Sequence, residues 1–158
     1  MLEETDSRKS FEDRSSLGAQ LAKLAADLGV QEVYVFGSRA QEMTARFRGF
    51  SSEEAPSSRQ EADVDVGVRP RRGIRLGASQ RVELALALEE LLDVDRVDLV
   101  VLPEAGAFLA LAVISGELVY CESPADQAEY ELYVLRRAGD LLPLERERRD
   151  AILRQGAR

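Results

Sequence analysis

A chain of 158 residues is long enough for one modest core, and its 21 basic and 29 acidic side chains leave a net charge of −8. That balance speaks against direct nucleic-acid binding, which draws on a surplus of Lys and Arg. Histidine is absent and Cys121 is the single cysteine, which excludes Ser-His-Asp and Cys-His catalysis, His-rich zinc sites and an intrachain disulfide, and leaves acid-base or metal chemistry to carboxylates.

Residues 1–14 carry only Leu2 and Phe11 as sizeable apolar side chains, so a flexible tail is expected there, followed by one domain over 15–158. Leu17, Leu21, Leu24 and Leu28 recur at helical spacing after Ser15 and Ser16, and Gly29 marks the stop. The run VYVF at 33–36 reads as a buried strand, closed by Gly37-Ser38 and followed by the helical segment RAQEMTA. Residues 44–61 show no sustained period and are rich in Ser, Glu, Arg and Gly, which predicts an inserted irregular loop.

A strand over 62–68 follows, then the basic turn PRRGIR at 70–75 and a helix from Ser79 to Leu92 with Leu84, Leu88 and Leu91 on one side. A third strand at 96–102, an apolar helix at 105–114 and a short strand at 117–120 come next. Two C-terminal helices are expected, one near Pro124 to Ala138 with Leu132 and Leu135 on its buried face, and a charged one at 145–153. The alternation predicts an α/β domain with a small mixed sheet flanked by helices. Apolar stretches fall well short of the roughly 20 residues that cross a bilayer, so a cytoplasmic chain without membrane association is expected.

Asp63 and Asp65 stand two apart in a predicted strand, so the pleat sends both carboxylates to one face and Val64, Val66 and Val68 to the other. Paired anions repel unless a cation lies between them, and Mg²⁺ prefers such oxygen ligands. An edge strand with both Asp side chains in water explains the pair equally well. Asp98 interrupts the apolar run of Val97, Leu99, Val100 and Val101, where a carboxylate needs a partner. If the two strands are neighbours, three carboxylates converge on a site for one or two Mg²⁺ ions. Gly37-Ser38 at the strand-to-helix turn offers backbone N–H groups and a hydroxyl to a phosphate, with Arg39 beside them, although an N-cap serine explains the dipeptide too.

The ordered set VYVFGSRA, ADVDVGV and RVDLVVL resembles the minimal nucleotidyltransferases of the DNA polymerase β superfamily, over roughly residues 15–120. Their signature of Gly-Ser, Asp-x-Asp and a third Asp maps onto Gly37, Ser38, Asp63, Asp65 and Asp98. Gln41 and Glu42 stand where the family usually has Arg-Gly, and the 44–61 segment lengthens the gap between Ser38 and Asp63.

The resemblance implies a polymerase β-like nucleotidyltransferase fold and a Mg²⁺-dependent enzyme that uses ATP. Gly37, Ser38 and Arg39 would bind the nucleotide; Asp63, Asp65 and Asp98 would be at once metal ligands and catalytic groups. Small stand-alone relatives commonly serve as antitoxins of a HEPN-domain RNase toxin, some by transferring AMP to its tyrosines, so a HEPN partner and a homo- or hetero-oligomer are expected. The alternatives are a small-molecule nucleotidyltransferase and an antitoxin that acts by binding alone. Tyr130, Tyr133, Leu135 and Leu141 are interface candidates, and a core helix explains them equally well.

Overall fold

The computed structural model describes residues 17–49 and 63–156. The expected tail at 1–14 and most of the expected 44–61 loop lie outside the described residues. A helix over 17–27 (α1) places Leu21 and Ala25 in the core. Strand β1 spans Val30–Phe36, a 3-10 turn covers Gly37–Arg39, and α2 spans Ala40–Arg48. Residues 44–48, read from sequence as loop, therefore complete this helix. Met43 and Thr44 are buried, and the Thr44 hydroxyl donates to the Ala40 carbonyl at 2.8 Å, so a β-branched polar residue is accommodated in the helix interior.

β2 (Val64–Pro70), α3 (Ala78–Leu92), β3 (Val97–Val101), α4 (Ala107–Ile114) and β4 (Glu117–Cys121) follow in the expected order. The C-terminus departs from expectation, because one helix, α5 (Pro124–Gln155), replaces the two predicted. Pro143 lies inside it and removes the bond to the Gly139 carbonyl. Gly139 is exposed, so water can satisfy that carbonyl and the helix continues past the proline. The buried face also differs: Val134 and Ala138 are buried, whereas Leu132 and Leu135 are 56% and 51% exposed. No described helix is long and apolar enough to cross a membrane.

The strands form one mixed sheet in the order β3-β2-β1-β4, with β1 antiparallel to β2 and β4, and β2 parallel to β3. Alternation sorts the side chains of β2 between two layers. Val64, Val66 and Val68 are fully buried against Leu21, Ala25, Met43, Leu84 and Leu88 of α1, α2 and α3. Each such burial contributes about 1.5–3 kcal/mol. The opposite face carries Asp65, Gly67 and Arg69. There Val113 of α4 packs so closely that a Cβ on Gly67 would lie 2.1 Å from its Cγ1. α4 and α5 cover this second face with a cluster of Tyr34, Leu102, Ala110, Val113 and Val134, and leave its β2-β3 end open at Asp65 and Asp98.

Candidate functional site

The site is built by strand register. Asp65 stands directly opposite Asp98 in the parallel β2-β3 pair, and Asp63, two residues earlier, precedes the strand on the same side. β2 lies between β3 and β1, so the edge-strand explanation of the Asp pair does not apply to it. The three carboxylates interact: the Asp65 carboxyl is pushed above the ordinary aspartate range, first by burial and then by the charges of Asp98 and Asp63.

Gly37 closes the site from the side of β1. Phe36 is the register partner of Asp65, and the chain then turns with Gly37 at φ 74°, a left-handed conformation that favours glycine. A Cβ there would lie 2.3 Å from Oδ2 of Asp65, so any larger residue at this position would have to push the carboxylate aside. Ser38 is exposed in the same turn. Arg39, not Ser38, occupies the N-cap of α2, so the serine is not the helix cap.

Arg39 itself points into the structure. It is 4% exposed, and its Nε and Nη2 donate to Glu42 at 3.1 and 3.0 Å. Glu42 also pairs with Arg46, whose Nη1 donates to the Leu92 carbonyl at 2.6 Å and so ties α2 to the end of α3. Glu42, a departure from the family pattern, is thus a partner of a buried arginine, and the i, i+3 and i, i+4 spacing of Arg39, Glu42 and Arg46 carried that signal.

Sequence reasoning did not single out Arg96. It precedes β3, and its guanidinium lies 3.6 Å from Asp63 and 3.2 Å from Asp98, bridging the two outer carboxylates. Its backbone carbonyl accepts from the Val64 N–H at 3.0 Å, which holds it beside the start of β2. Among the described residues Asp65 has no ion-pair partner, and no three acidic side chains are placed closely enough together to hold a metal ion. The donor chemistry nevertheless suits a hard divalent cation: all three groups are carboxylates, and the repulsion from Asp98 and Asp63 that adds to burial in raising the Asp65 pKa is one that such a cation relieves.

No protein-family model and no curated protein matches the chain. Solved structures do. A crystal structure of a toxin-antitoxin with AMP-PNP matches over 86% of this chain and 98% of its own, at 23% identity and a TM-score of 0.64. The tri-AMPylated HEPN toxin of Shewanella oneidensis in complex with its MNT antitoxin matches over 89% and 98%, at 22% identity and 0.62. The toxin-antitoxin MntA-HepT matches over 88% and 98%, at 21% identity and 0.62. At these identities the likeness is one of fold: the small mixed sheet flanked by helices that the sequence predicts is observed, and it is shared with these toxin-antitoxin structures.

Proposed function

We propose that the chain is a minimal nucleotidyltransferase that acts as an antitoxin, transferring AMP from ATP to a tyrosine of a HEPN-domain partner. The observation that carries this reading is the register of Asp65 against Asp98, with Asp63 on the same side and the Gly37 turn fitted against Asp65. Two of the structural neighbours support it, one being a complex with AMP-PNP and the other containing an AMPylated HEPN toxin.

Asp63, Asp65 and Asp98 would hold a divalent cation, which when bound would neutralise the triphosphate and polarise its α-phosphate. Gly37 and Ser38 are exposed, so the serine hydroxyl and the backbone of this turn would hold the β- and γ-phosphates. Asp98 accepts the proton of the attacking hydroxyl. The acceptor oxygen then bonds to the α-phosphorus, the α-β bridging bond breaks, and pyrophosphate leaves. None of these roles needs a histidine.

Incubation with the partner, ATP and Mg²⁺ is expected to add AMP to the partner, read by mass spectrometry. The Asp63→Asn, Asp65→Asn double variant should fold and lose transfer by roughly 100-fold or more. A double variant that neutralises the partner as well as wild type, with no mass shift in either protein's incubation, would replace this reading with antitoxin action by binding. Ser38→Ala should slow transfer by about 1–3 kcal/mol of barrier, and an unchanged rate would remove the serine from the nucleotide site.

A further inference from the structure

Arg96 bridges two members of the carboxylate cluster that belong to different strand ends, and the manner of its contact separates it from the other arginines of the sheet. Arg69 grips Glu32 with two nitrogens in a buried pair, and Arg71 grips Glu122 with two nitrogens at 2.8 Å each. Arg96 instead reaches each carboxylate with a single nitrogen at 3.2 and 3.6 Å, and its side chain is 66% exposed. An exposed, single-point ion pair of this kind is weak and exchanges readily with solvent ions.

Charge and geometry agree on a role. Three carboxylates and one guanidinium leave a local charge of about −2, whereas the carboxylates alone carry −3, an arrangement that Coulomb repulsion disfavours. Arg96 stands between Asp63 and Asp98 and contacts both, and as placed no three acidic side chains among the described residues are close enough together to hold a metal ion. We propose that Arg96 is the resident counter-ion of the cluster, holding Asp63 and Asp98 in place until a divalent cation displaces it.

The inference rests on the metal-site reading above and makes a prediction that reading does not. Removing the guanidinium removes a competitor for the carboxylates, so the cation should bind more tightly although no negative charge has been added. Metal-free protein should lose stability at the same time, because the repulsion is then uncompensated. Arg96 is exposed and packs in no core, so a glutamine there is compatible with the fold.

The test titrates the full-length chain with Mn²⁺ at low ionic strength and follows free Mn²⁺ by electron paramagnetic resonance, with thermal melts beside it. Wild type, Arg96→Gln and Arg96→Lys are compared, and the Asp63→Asn, Asp65→Asn double variant serves as the blank. Arg96→Gln is expected to bind Mn²⁺ about three- to tenfold more tightly than wild type, with Arg96→Lys between them. It should also melt lower without metal and rise further when Mn²⁺ is added. Binding in Arg96→Gln that equals or falls below wild type overturns the counter-ion role while leaving the metal site standing. Binding no better than the blank in wild type and in both Arg96 variants overturns the metal reading itself, and this inference with it.

Discussion

One face of β2 carries two charged regions that solve the same electrostatic problem in opposite ways. At its far end Arg69 is clasped by Glu32, which is 1% exposed, and lies 4.5 Å over the Tyr130 ring of α5. Beside it the Tyr34 hydroxyl donates to Glu131 at 3.1 Å and Gln127 donates to Glu131, so Arg69, Glu32 and Glu131 each have an internal partner. At the near end Asp63, Asp65 and Asp98 share one loosely held, exposed arginine. Gly67 separates the two, and α4 rests on it. The difference teaches how to tell a structural charge from one available for chemistry: the first is matched by buried, two-point partners, and the second is left with a partner that can exchange.

The largest effect is expected where the structural pair is broken. Arg69→Ala leaves Glu32 buried without a counter-charge and removes the cation over Tyr130, which should cost about 3–5 kcal/mol in urea unfolding. A loss below about 1 kcal/mol would show that the far end is no more fixed than the near end, and the contrast would fail. Gly67→Ala, between the regions, should cost about 1–3 kcal/mol by forcing Val113 away from the sheet, and Val113→Ala in the same chain should recover part of that loss. Absence of any recovery would assign the cost to something other than the close approach of α4.

Much of this organisation was legible in the sequence. The alternation of Asp63, Asp65 and the three valines identified both the strand and its two faces, because a period of two needs no tertiary information. Gly-Ser after an apolar strand and an Asp inside the Val97–Val101 run pointed to the residues that the fold places beside Asp65. Four features were hidden, each for a physical reason. The helical state of residues 44–48 rests on burial of Met43 and Thr44 and on the Arg39-Glu42-Arg46 ion pairs, which outweigh a weak local pattern. The face of α5 is set by tertiary packing, in which Val134 joins the cluster of Tyr34, Ala110 and Val113 and Ala138 is buried, while the larger Leu132 and Leu135 are not. One helix runs where two were expected, because the hydrogen bond that Pro143 removes falls on an exposed turn. The partnership of Arg96 with two aspartates depends on strand pairing and has no local signal.

The smallest expected effect tests the near end directly. The Asp65 carboxyl has its pKa raised in the fold by burial, by Asp98 and by Asp63, in that order, so the folded chain holds this proton more tightly than the unfolded chain does. Stability must then fall as pH rises from the ordinary aspartate range through the raised pKa, and the penalty is complete above it. Asp65→Asn keeps the shape and removes the charge. Without metal and at low ionic strength, the variant should therefore melt about 1–2 °C above wild type at neutral pH, and the two curves should meet below the ordinary aspartate range. A variant less stable than wild type at neutral pH would mean that the Asp65 carboxylate stabilises the fold as the Arg69 and Glu32 charges do, and the two ends of β2 would no longer differ in kind.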